Sequence, residues 1–169
     1  MSMNGNFLLV SDDEISNLVT APETVHAFLE SRVYEAEKPQ DHVEIDKAWH
    51  ALHFLLTGTA WGGAPPLDFI AMGGEAVGDE DVGYGPARVL RAGDVVTLDR
   101  ALEELPTSKV VSRYDAAKMV ALEIYPGGWD HLDPQKGDEF GYVSGAYDDV
   151  RALVHKGAAG ARGLLIWLC

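Results

Sequence analysis

Apolar residues along the chain fall into two kinds of pattern, and each predicts a different element. "NFLLV" near the start and "GLLIWLC" at the end are short unbroken apolar runs, the mark of strands. The second reads as apolar on both faces. Behind the first run, Ser11 and Glu14 stand three apart ahead of "DDEISNLV", a capping box that opens a short helix. Thr20 and Glu23 repeat that spacing before "PETVHAFLESRVYEA", where Val25, Phe28, Leu29 and Val33 form an apolar stripe and Glu30 and Glu35 face water. After a break at "KPQDH", Asp46 is placed as the N-cap or a first-turn acid of a third helix carrying Trp49, Leu52, Phe54, Leu55 and Leu56. It ends at Gly58, where glycine can take the left-handed conformation.

From residue 58 to 88 the periodicity lapses. "LDFIAM" predicts a brief helix, and the Gly- and acid-rich "GGEAVGDEDVGYGP" reads mostly as loop. "ARVLR" predicts a short strand, and Gly93 and Asp94 start a helix that Pro106 stops. Thr107 and Asp115 then cap two short helices, "IYPGGWDHLDP" is a turn-rich connection, and a long helix over roughly 138–156 ends at Lys156 and Gly157. Strands at both ends with helices between them make an α+β fold: one compact domain over 1–169, its terminal strands in one small sheet covered by several helices. There is no internal repeat.

Composition narrows the functional classes. Twenty-seven acids against thirteen Lys and Arg leave a formal charge of −14, a field that repels phosphate backbones and anionic lipid. Neither nucleic acid nor a membrane surface is an expected partner, and no apolar run approaches bilayer length. The acids are unevenly spread: residues 11–46 hold ten against two basic residues, and 123–149 hold seven against one. Such a surface either keeps the protein soluble or steers a basic protein partner towards it. One cysteine, Cys169, excludes a disulfide framework within the chain, and the start lacks the pattern of a secretory signal, so a cytoplasmic location is expected.

Candidate chemistry gathers in two places. On an ideal helix Asp46, His50 and His53 lie within about 60° of one another, which is half a metal site, with Asp130, His131 or Asp133 as the missing ligand. The structural reading is stronger: His50 as a surface residue and His53 as a half-buried ring bonded to a carboxylate or carbonyl. The chain lacks the glutamate of the helical zinc-protease motif, so no metal is expected. Arg88, after Gly85 and Pro86, could clamp a small anionic ligand, or could pair with a structural acid such as Asp46 or Glu123. Trp49, Trp61 and Tyr84 could wall a pocket around His53 and Arg88. "GYVSGAY" is not a nucleophile elbow, "GYGPAR" is not a dinucleotide fingerprint, and there is no P-loop, so no cofactor is expected.

In order along the chain, "IDKAWHALHFLLTGTA", "PPLDFIAMGG", "VGYGPARVL", "MVALEIYPGGWD" and the final helix and strand resemble the YfbM-like family of bacterial proteins, a family of unknown function. The resemblance covers nearly the whole chain and implies a single α+β domain, without an activity. It falls on Asp46, Trp49, His53, Gly58, Pro86, Arg88, Tyr125 and Pro126, and leaves out His50. Two functions follow. The leading one is a non-catalytic acidic module that binds a basic protein, of immunity or regulatory type. The alternative is an enzyme or a receptor for a small anion or metabolite, with His53 as general acid or base oriented by Asp46, and Arg88 holding the anion.

Overall fold

The computed structural model describes residues 2–37, 40–131 and 138–169. Its frame is a five-stranded antiparallel sheet in the order β2-β1-β5-β4-β3. The terminal strands β1 (Gly5–Val10) and β5 (Gly163–Leu168) pair along their whole lengths, from Gly5 opposite Leu168 to Val10 opposite Gly163. Both are apolar on two sides because the sheet is covered on two sides. Phe7, Leu9, Leu164 and Ile166 point into one core, while Leu8, Val10, Leu165 and Trp167 point into the other. That is the period of two expected of a strand, and each such side chain contributes about 1.5–3 kcal/mol by leaving water.

The smaller core is closed by α1 (Asp12–Thr20) and α2 (Val25–Leu29) through Ile15, Leu18, Val25 and Leu29. The capping box of α1 forms as expected, Ser11 Oγ accepting from the Glu14 amide and Glu14 accepting from the Ser11 amide at 2.8 Å. The second box does not. Ala21 holds the cap position, Pro22 opens a short 3-10 turn, and α2 runs on into a π-helical turn at Glu30–Tyr34. The larger core is covered by α3 (Ala48–Thr57), α4 (Ala92–Glu103) and α7 (Asp138–Ala159), with the short α5 (Thr107–Val111) and α6 (Ala116–Ala121) beside them. Helix α3 is buried from Ala48 to Leu56 on every side and ends at Gly58, φ +76°. Asp115 caps α6, whereas Pro106 and not Thr107 precedes α5; the Thr107 hydroxyl instead bonds Asp148 on α7.

Two strands depart from the pattern reading. β2 (His42–Glu44) sits within the break after α2, and β3 (Glu75–Asp81) occupies the stretch read as loop. Both are edges. An edge strand needs only one apolar face, and acids or a bulge there discourage pairing with another chain. β3 supplies Val77 to the core, carries Glu75, Asp79, Glu80 and Asp81 in water, and bulges between Ala76 and Asp81 against β4 (Pro86–Leu90). The expected helix at "LDFIAM" is a series of turns, in which the Asp68 carbonyl accepts from both the Met72 and Gly73 amides at 2.9 Å.

Candidate functional site

Among the sequence candidates, Arg88 on β4 and His53 on α3 lie within electrostatic reach of each other. Arg88 lies opposite Ile166 on β5, so it projects into the larger core. There its charge helps to depress the basicity of His53. The charge of one reaches the ring of the other, yet neither stands free to react. The Arg88 guanidinium donates to the carbonyls of Phe69, Ile70 and Gly73 at 3.1, 2.5 and 2.6 Å. Its fork therefore fastens the turn segment 69–73 to β4. Burial pulls its pKa down to about 10, against the charge of Asp68, the acid beside it in place of Asp46 or Glu123.

His53 is 0 % exposed, and neither ring nitrogen has a hydrogen-bond partner among the described residues. Burial pushes its pKa down to about 4; the Gly62 carbonyl pulls the other way, and His50 and Arg88 add to the fall. The Gly62 carbonyl acts on the ring electrostatically without reaching hydrogen-bond geometry. At neutral pH the ring is uncharged. His53 is thus more deeply enclosed than the half-buried, bonded ring the sequence suggested, because the whole of α3 is wrapped by the sheet on one side and helices and loops on the others.

His50 is likewise not the surface residue expected. It is buried, its Nδ1 accepts from the Tyr125 amide at 2.9 Å, and its Nε2 therefore carries the proton it gives to the Ala60 carbonyl at 3.0 Å. The ring stacks on Trp49 at 4.7 Å and 8°, and meets Trp61 at 4.7 Å and 43°. His50 thereby ties the loop after α3 to the segment after α6. Burial lowers its pKa, with the Ala60 carbonyl opposing. His50 thus spends both ring nitrogens on backbone groups, whereas His53 is enclosed with neither nitrogen bonded among the described residues.

The remaining sequence candidates disperse. Asp46 is not a helix cap: Lys47 takes that position, and Asp46 sits one residue earlier at φ +46°, its carbonyl accepting from the Gly5 amide. Its carboxylate faces Tyr142 on α7, whose hydroxyl burial and then Asp46 push up to about 12. Asp46 cannot orient His53 from there. Trp49 is fully buried, its indole N–H held by the Met3 carbonyl at 3.0 Å. Trp61 is 56 % exposed above it, and Tyr84 stands exposed in the β3–β4 turn, its amide on the Leu168 carbonyl. Asp130 and His131 are exposed beside each other; Asp133 lies outside the described residues.

Two features were not singled out from the sequence. Asp99 and Glu103 on α4, four apart, face His155 on α7, whose Nδ1 lies 3.2 Å from Asp99; the Arg151 guanidinium lines the same hollow. The other is Asp68, 9 % exposed, the one buried acid among the described residues. It lines a cleft of about 450 Å³ walled by the turn segment that Arg88 fastens, by the end of β4 and by the first turns of α4. The signal was present as a lone acid within apolar "PPLDFIAMGG", bracketed by prolines and glycines.

The terminal strands paired at the centre of one antiparallel sheet, with helices on both faces, define an α+β domain. The chain belongs to the family "Domain of unknown function (DUF1877)", whose model matches residues 1–167. It is similar to Protein YfbM of Escherichia coli (strain K12), 28% identical over 130 residues, 75% of each chain. The crystal structure of YfbM from Escherichia coli, titled as a protein of unknown function, superposes with a TM-score of 0.71 at 20% identity, covering 98% of this chain and 99% of that one. That likeness shows the fold. Among the described residues no helix is long and apolar enough to cross a membrane.

Proposed function

We propose that this protein is a non-catalytic binding module of the cytoplasm whose acidic flank receives a basic protein partner, in the manner of an immunity-type neutraliser or a regulatory subunit. The observation that carries this reading is the composition of the open sheet edge. Glu75, Asp79, Glu80 and Asp81 lie exposed along β3. The 3-10 turn after α1 packs against that strand through Pro22 at Gly78, with exposed Glu23 next to it in the chain. Arg91, the nearby guanidinium, is engaged by Glu75 at 3.7 Å and by Ser16. Concentrated charge of one sign raises encounter rates with an opposite surface and fixes its orientation. A cytoplasmic setting suits a chain with one unpaired cysteine.

The enzymatic alternative draws less support, because His53 is enclosed and Arg88 is spent on three carbonyls. The test is co-purification from the native host with wild-type protein and with a Glu23→Gln, Asp79→Asn, Glu80→Gln variant. Asp81 is kept, since its Oδ1 holds the Gly83 and Gly85 amides of the hairpin turn. A stoichiometric basic protein recovered by the wild type, and lost both in the variant and at high salt, is the expected result. Identical recoveries from the two proteins would sink the proposal.

A further inference from the structure

Asp68 presents to the cleft a carboxylate that no protein donor bonds among the described residues. The residue is nine-tenths buried, and no hydrogen bond or ion pair reaches its side-chain oxygens among the described residues. Arg88 compensates its charge from behind the wall, but that guanidinium is committed to carbonyls. The carboxylate looks instead into the cleft of about 450 Å³, a volume within the range of small-molecule sites. The segment is built to keep it there. A Cβ on Gly73 would stand 2.9 Å from Asp68 Oδ1, and one on Gly74, at φ +92°, 2.6 Å from the Val89 carbonyl. Glycine at both positions lets the chain close onto β4 without covering the acid.

The rest of the lining says what the cleft would accept. Its walls are mainly carbon, from Pro65, Pro66, Phe69, Val89 and Leu90. Its other charged groups are Glu75 and Asp94, against Arg91, which already pairs with Glu75. With Asp68, and with Arg88 counted behind the wall, three carboxylates oppose two guanidinium groups, so the cleft remains negative. An anion is disfavoured. A divalent metal needs about six oxygen ligands, which these apolar walls do not supply. A protonated amine would give Asp68 the charge-assisted hydrogen bond it lacks, while a carbon body covered the prolines and Phe69.

We infer that this cleft is a binding site for a small organic ammonium compound, with Asp68 as its anchor. A protein partner on the β3 edge is not required for it. The test uses the whole chain and three probes of one shape: benzylammonium, benzyl alcohol and benzoate, titrated by two-dimensional amide NMR. Benzylammonium is expected to shift amides of residues 68–75 and 89–97, and to bind at least about tenfold more tightly than the alcohol. Asp68→Asn, with folding checked by circular dichroism, should bring amine and alcohol to within about twofold. Thr97→Trp, an exposed substitution at the mouth, should weaken benzylammonium without touching the carboxylate, and keeps the test open if Asp68→Asn does not fold. No shifts with millimolar amine, an unchanged preference in Asp68→Asn, full affinity in Thr97→Trp, stronger binding of benzoate, or displacement of the amine by stoichiometric magnesium would each overturn it.

Discussion

His50 and His53 lie one turn apart on the same helix and have opposite standing. His50 satisfies two backbone groups, while His53 satisfies none among the described residues. Replacing a buried polar group costs its bonds plus the partners left behind, whereas removing one that makes no bonds relieves a penalty. His50→Leu is therefore expected to lower unfolding free energy by about 2–3 kcal/mol, and His53→Leu to leave it unchanged or raise it by about 1 kcal/mol, both read by urea denaturation at pH 7. The same ring governs the response to acid. Its folded pKa, about 4, lies below the ordinary value of 6.5, so the unfolded chain takes up a proton that the folded one refuses. Stability contributed by the neutral ring is present above the ordinary pKa and is lost as pH falls towards 4. Between about pH 7 and pH 5 that loss is on the order of 2 kcal/mol. Burial lowers His42 and His50 too, so they add to it with the same sign. The slope of stability against pH in this window should flatten in His53→Leu; an unchanged slope would mean the ring titrates normally.

At the scale of elements, one arginine holds a turn segment to a strand. Arg88→Ala would leave the carbonyls of Phe69, Ile70 and Gly73 without that donor, at a cost of about 3–5 kcal/mol. Arg88→Lys keeps the charge but not the planar fork, and should lose part of that. Amide hydrogen exchange reports the outcome locally: protection in residues 69–74 is expected to fall more than in β1 or β5. Uniform loss across the sheet would show that the arginine supports the whole core and not this segment. The sequence reveals the strand that carries Arg88 and the helix that carries His53, because apolar runs and a glycine stop are local signals. The resemblance falls on both positions, and in the structure the charge of Arg88 bears on the ring of His53. What the sequence conceals is who bonds to whom. A guanidinium answered by three carbonyls has no partner side chain to find in sequence, and the loop that supplies them looks like a helix by composition. β3 was hidden for a related reason: a one-sided edge strand made of Glu, Gly and Asp has little strand propensity, and exists because β4 offers it a ladder.

For the whole molecule the dominant quantity is −14 on a body whose radius of gyration is about 15 Å for its length. In about 0.01 M salt the screening length is about 30 Å, so acids on opposite sides repel one another; in about 1 M it shrinks to about 3 Å. Local ion pairs respond in the contrary sense. Asp41 is gripped by Lys156 and Arg162, which hold its pKa below the usual carboxylate range, and Glu14 is paired with Arg32. Pairs of this kind, still open in part to solvent, contribute about 1 kcal/mol each, and a few of them do not offset so large an excess of acid. Repulsion should win. The melting temperature is expected to rise by several degrees as sodium chloride is raised from about 0.01 to about 0.5 M. The gain should shrink in the Glu23→Gln, Asp79→Asn, Glu80→Gln variant, which removes like charges from one flank. Binding of a basic partner runs the other way, since the same salt that relieves the free protein screens the attraction that assembles the pair. Scanning calorimetry across the salt series, with the variant as control, separates the two: a melting temperature that falls with salt would place the local pairs, and not the net charge, in command of this fold.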